Sequence, residues 1–108
     1  MTYDEIAQLE SITFDVTQED IDSGDRRCNT GCPIALAVMR TLGLDTLLVR
    51  IPSADTGFPI RIFRGFPDTH WNVLQLFSHS PETRDFVRKF DNYGPVQPGT
   101  FTIERVKV

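Results

Sequence analysis

The segment Arg26-Arg27-Cys28-Asn29-Thr30-Gly31, running directly into Cys32-Pro33, holds the densest group of chemically capable side chains in the sequence. Two guanidinium forks suit a phosphate or a carboxylate. The Asn29 amide and the Thr30 hydroxyl add hydrogen-bonding capacity, and Gly31 allows close backbone approach. The residues that follow, Ile34-Ala35-Leu36-Ala37-Val38-Met39, are apolar on nearly every side, which marks a buried helix. Pro33 is tolerated at its first position, where an amide would have no partner. A helix held rigidly in a core has a fixed N-terminus, carrying about half a unit of positive charge that favours an anion. The expected ligand site is therefore Arg26, Arg27, Cys28, Asn29, Thr30, Gly31 and Cys32. The competing reading is a capped connection between helices, with its arginines paired to Asp22 or Asp25. The stretch is neither a Walker loop nor a GxGxxG fingerprint, and no cofactor is assigned to it.

Cys32 at a helix N-terminus beside two arginines is placed as reactive thiolates are placed. A thiol-dependent enzyme using Cys32 would also need a positioned base. His70 and His79 are the only histidines, and their spacing puts neither beside it. The alternative is a small buried residue filling space under the loop. Cys28 and Cys32 could close as a short staple on oxidation, but the sequence carries no secretion signal and a reduced cytoplasmic state is the expectation. Cys28-x3-Cys32 with His70-x8-His79 supplies four possible zinc ligands. The histidine spacing fits no compact finger, so no metal site is assigned. Farther along, Arg61 and Arg64 lie near Trp71, and guanidinium and indole groups together can sandwich a nucleobase. The plainer reading is core aromatics with solvated arginines. Arg84 and Arg88, at i,i+4 with Glu82 and Asp85 nearby, read as a salt-bridged exposed face.

Charge narrows the partners. Eleven basic residues against fifteen acidic ones give a net charge of −4, which argues against a broad surface for duplex nucleic acid. The distribution is uneven. Residues 1–25 hold eight acids (Asp4, Glu5, Glu10, Asp15, Glu19, Asp20, Asp22, Asp25) and no Lys or Arg, whereas residues 26–108 sum to +4. A local cationic site inside an acidic protein is thus feasible. So is an acidic face steering toward a basic partner protein. The acidic start lacks the calcium-loop pattern. No apolar stretch approaches the length of about 20 residues needed to span a bilayer.

A chain of 108 residues has room for one core. Alternation at 11–16 predicts a strand with Ile12, Phe14 and Val16 inward. A short acidic turn of helix is expected at 3–9, and Thr17 caps another that Gly24 ends. The buried helix spans about 32–42. Strands follow at 46–51, at 58–64 with Phe58, Ile60 and Ile62 on one side, and at 71–77, where a helical stripe of Trp71, Leu74 and Phe77 competes. Ser80-Pro81-Glu82 opens a helix over about 81–93, with Phe86, Val87, Phe90 and Tyr93 on one face. Phe101, Ile103, Val106 and Val108 suggest a closing strand with a register change near Glu104-Arg105. Without strict βαβ alternation, the expected class is a single α+β domain, a mostly antiparallel sheet of four or five strands packed on two helices.

The run Phe14-Asp15-Val16-Thr17-Gln18-Glu19-Asp20-Ile21-Asp22-Ser23-Gly24, then Cys28, then Cys32-Pro33-Ile34-Ala35-Leu36-Ala37, resembles a V-T-x-x-x-I-x-x-G … C-P-I-A-L-A signature of small uncharacterised phage and prophage proteins. Asp85-Phe86-Val87-Arg88-Lys89-Phe90-Asp91 is similar to their closing helix. The resemblance implies a host cytoplasm and an accessory role, such as countering host defence, and assigns no catalytic residue. Together with the residues it makes the leading expectation a non-enzymatic phage-type protein that binds a small anionic ligand, such as a cyclic nucleotide signal of host defence. Homo-oligomerisation would help to enclose such a ligand. The second expectation is an inhibitor of a host protein acting through the acidic N-terminal region.

Overall fold

The computed structural model describes residues 1–44, 46–65 and 70–107. Among them the chain runs α1 (Tyr3–Ala7), β1 (Ser11–Val16), α2 (Gln18–Ser23), α3 (Pro33–Leu42), β2 (Leu48–Arg50), β3 (Ile60–Phe63), a 3-10 turn (His70–Asn72), β4 (Val73–Ser78), α4 (Pro81–Asp91) and β5 (Gly99–Arg105). The five strands form one antiparallel sheet in the order β1-β5-β4-β3-β2, so the fold is α+β as expected. Although β1 and β2 are its two edges, α3 packs against both. The sheet curls around that helix.

β1 is the strand that its alternation predicts. Ile12, Phe14 and Val16 are buried, with Ile12 opposite Ile103 and Phe14 opposite Phe101. On the outer face the Thr13 and Thr102 hydroxyls meet at 2.9 Å. Thr17 caps α2 in a reciprocal box: its hydroxyl accepts from the Asp20 amide, and the Asp20 carboxylate accepts from the Thr17 amide at 2.8 Å. Arg40, near the end of α3, then grips the same carboxylate with both nitrogens, at 2.6 and 2.8 Å, and donates to the Asp15 carbonyl. One buried acid thereby locks β1, α2 and α3 together. Ile34, Ala35, Ala37 and Val38 are fully buried, which fixes α3 against the sheet. A buried side chain of Ile or Phe size contributes about 1.5–3 kcal/mol of transfer energy.

Several sequence expectations need correction. The strand expected at 46–51 is only Leu48–Arg50. Phe58 is 65% exposed and precedes β3, whereas Phe63 is buried on the opposite side from Ile60 and Ile62. Both faces of this part of the sheet are covered, so simple alternation fails. Trp71 lies in the 3-10 turn, not in β4, and is 82% exposed. Tyr93 follows α4 with φ of +62° and faces solvent, while Gly94 closes the helix by donating to the Lys89 carbonyl at 2.7 Å. Val108, expected in the last strand, lies outside the described residues.

Candidate functional site

The connection from α2 to α3 is tightly determined. Gly24 donates to the Asp20 carbonyl at 2.8 Å, and a Cβ there would lie 2.6 Å from Pro33 Cδ. Only glycine lets the end of α2 approach the start of α3 this closely. Asp25 then donates to the Gly31 carbonyl at 2.8 Å, while Gly31 and Cys32 both donate to the Cys28 carbonyl, at 3.3 and 3.1 Å. The Asn29 carbonyl accepts from Ile51 at 2.7 Å, which ties the loop to residues 51–55.

The two adjacent arginines part company. Arg26 donates from Nε to the Phe90 carbonyl at 3.1 Å, and its guanidinium lies over the Phe90 and Tyr93 rings at 4.8 and 4.3 Å. It clamps the end of α4. Arg27 takes a left-handed conformation, φ +56°, with its amide donating to Asp91 Oδ1 at 2.8 Å. A non-glycine residue in that region must be held by its surroundings, and such strain gathers at working sites. Neither arginine pairs with Asp22 or Asp25 in the way the capped-connection reading requires. Their partners lie at the C-terminal end of α4 and in the turn that follows it.

Arg27, Cys28, Asn29 and Cys32 form one wall of a cavity of about 430 Å³. Ile51, Pro52, Ser53, Ala54 and Asp55 form the second wall, and Val87, Arg88 and Asp91 of α4 with its C-cap Asn92 the third. Arg88 Nε lies 3.8 Å from Asp55 Oδ1, a loose pair in which Asp55 is 85% exposed. The volume falls within the usual span for small-molecule sites, about 300–1,000 Å³. Its polar groups are balanced: two guanidinium side chains, two carboxylates, two amides and a hydroxyl.

Of the expected site residues, Arg27, Cys28, Asn29 and Cys32 line this cavity, whereas Arg26, Thr30 and Gly31 shape the loop behind it. Arg61, Arg64 and Trp71 do not line it. Arg61 sits on β3 opposite Arg50 and Leu76, with its guanidinium 5.7 Å from the Phe63 ring. Arg64 stands over the Tyr3 ring at 5.3 Å, and its amide donates to Asn72 beside Trp71. Arg61 and Arg64 thus stand over different rings, Phe63 and Tyr3. Asp55, Asp91 and Asn92 were not expected at the site; Arg88 is exposed and ion-paired as expected, but its partner is Asp55 from a distant segment rather than Glu82 or Asp85. The i,i+3 spacing of Arg88 and Asp91 was the available signal, but the segment that faces them is distant in sequence.

The thiols also differ from expectation. Cys32 is 3% exposed, and burial pushes its pKa up to about 11 despite the Ala35 and Ile34 amides aimed at its sulfur. Desolvation overrides the helix dipole, which leaves Cys32 a neutral thiol and corrects the reading of it as an activated nucleophile. The same burial withdraws the first amides of α3 from solvent. Cys28 is partly exposed, and the Thr30 amide, then its hydroxyl, pull the thiol below its ordinary value. Among the described residues, no group of three or more His, Cys, Asp or Glu is arranged to hold a metal ion. Nor is any described helix long and apolar enough to cross a membrane. No protein-family model, curated protein or solved structure matches the chain.

Proposed function

We propose that the chain is a non-enzymatic binding protein for a small anionic molecule held in the cavity between the 27–32 loop, residues 51–55 and α4. The observation that carries this reading is the convergence of Arg27 and Arg88, from separate elements, on one cavity of about 430 Å³ at the loop whose residues suit an anion. Arg88 is held only loosely by Asp55, so an incoming phosphate or carboxylate can take over its fork at small cost. Asn29, Ser53 and Asn92 supply further hydrogen bonds. Asp55 and Asp91 set a limit: a polyphosphate would meet their charge, whereas a singly charged anion carrying N–H donors would find both partners. A cyclic mononucleotide has that chemistry. A larger cyclic nucleotide would need a second copy of the chain to enclose it. In the setting that the phage-like signature implies, capture without turnover amounts to sequestration of a host signal.

Calorimetry with cyclic mononucleotides, inorganic phosphate and acetate tests the reading. The expected result is binding of a cyclic nucleotide that weakens at least tenfold in Arg27→Ala and in Arg88→Ala, corresponding to about 1.4 kcal/mol each. Absence of binding to all three ligands, or affinity unchanged in both variants, would overturn it.

One observation favours a second reading. Seven of the eight acids in residues 1–25 are exposed, with Asp20 alone buried. They leave acidic charge at the surface that a basic partner protein could meet. A host protein captured from lysate and released by salt would support inhibition of that protein, and retention at high salt would count against it.

A further inference from the structure

We infer that Cys28 and Cys32 form a peroxide-sensitive dithiol that closes to an intrachain disulfide on the wall of the cavity. The geometry rests on the turn that joins them. Cys32 donates to the Cys28 carbonyl at 3.1 Å, an i→i+4 α-turn that brings the two Cα atoms to about 6 Å. Disulfides bridge Cα atoms separated by about 4.4–6.8 Å. Both residues line the same cavity and are reduced. The Cys28 sulfur folds back over the turn, only 3.2 Å from where a Cβ on residue 31 would stand, so Gly31 keeps the space beside it clear. The Thr30 hydroxyl touches that sulfur at 3.7 Å.

The environments divide the chemistry. Cys28 is partly exposed, and Thr30 favours its thiolate, which makes it the thiol that meets an oxidant from solvent. Cys32 is buried and protected from outside reagents, yet adjacent to Cys28 in the turn. Hydrogen peroxide supplies the oxidising equivalents. The Cys28 thiolate attacks one peroxide oxygen and the O–O bond breaks. The Cys28 sulfenic acid forms, and the departing hydroxide takes up a proton to become water. The Cys32 sulfur then displaces hydroxide from the sulfenic sulfur, and its own proton completes the second water. Two thiols and one peroxide give one disulfide and two waters. The slow step is the second, because Cys32 must give up its proton in a buried site. Its fixed position beside Cys28 offsets that disadvantage.

The test uses the whole chain and is independent of any cavity ligand. After hydrogen peroxide treatment, remaining thiols are alkylated and the protein is weighed by mass spectrometry. The expected product is a monomer lacking two hydrogens, with neither cysteine alkylated, restored by dithiothreitol. Cys32→Ser should stop at a sulfenic acid on Cys28 that dimedone traps, and Cys28→Ser should leave Cys32 reduced at the same dose. Oxidation confined to bonds between chains, both cysteines still alkylatable after treatment, or Cys32 reacting as readily as Cys28 in the single variants would overturn the assignment.

Discussion

Arg40 and Arg88 carry the same charge near the same end of their helices, yet they occupy opposite situations. Arg40 holds a carboxylate that is only 5% exposed through two bonds of 2.6 and 2.8 Å and adds a third to a strand carbonyl. Arg88 faces an 85% exposed carboxylate at 3.8 Å across a cavity. The first arginine is tied into the fold. The second is available. The same division separates Arg26, stacked on two rings, from Arg27, and buried Cys32 from partly exposed Cys28. A cluster of reactive residue types in sequence therefore resolves into supports and candidates for contact, and the partners each side chain already holds draw the line between them.

Breaking the tied-in side should have the largest effect. Arg40→Met leaves the Asp20 carboxylate buried without its partner, and denaturant unfolding should show a loss of about 3 kcal/mol. Arg40 holds the Asp20 pKa below its ordinary 3.8, with the Thr17 bonds assisting. Asp20 thus contributes stability above pH 3.8, and that stability is lost as pH falls through the lower folded value. Asp20→Asn should flatten this acid limb.

His79 gives the next effect, in a higher pH window. Its Nδ1 meets the Thr83 hydroxyl at 2.7 Å, while burial and then the Arg84 charge push its pKa down to about 4, the Pro52 carbonyl drawing it slightly the other way. The unfolded chain takes up this proton below pH 6.5 and the folded chain does not until about pH 4. Stability should therefore be full above pH 6.5 and fall by about 2–3 kcal/mol toward pH 4. His79→Gln should remove that slope, and an unchanged slope in the variant would assign it to other groups.

Gly24→Ala should cost about 1–2 kcal/mol, because its methyl would press on the Pro33 ring at 2.6 Å and on the Asp20 carbonyl at 2.8 Å. The smallest change is expected across the cavity. Asp55→Ala or Arg88→Ala should alter stability by no more than about 0.5 kcal/mol, since the pair is long and exposed. A loss near that of Arg40→Met would erase the distinction between the two arginines.

Much of the scaffold was legible in the residues. The alternation of 11–16, the Thr17 cap, the all-round apolar 34–39 run and the Ser80-Pro81 start each correspond to an observed element, because each is a local signal with one inexpensive solution. Phe63 and Trp71 were not legible. Curling of the sheet decides which face is covered, and no local period encodes that. The loop that bears Arg27, Cys28 and Asn29 was found from residue type alone. Its opposite wall, Asp55 with Arg88 and Asp91, arrives through tertiary packing between distant segments, as does the burial that overturns the dipole argument for Cys32.

Whether Arg27 and Arg88 are available to an anion while Arg40 is not can be read directly from the arginine Nε–Hε resonances in a nitrogen–proton NMR spectrum during titration with a cyclic mononucleotide. Saturable shifts of the Arg27 and Arg88 signals are expected, with the Arg40 signal unmoved. Shifts confined to Arg61 and Arg64, or no shift in any arginine at saturating ligand, would contradict this expectation.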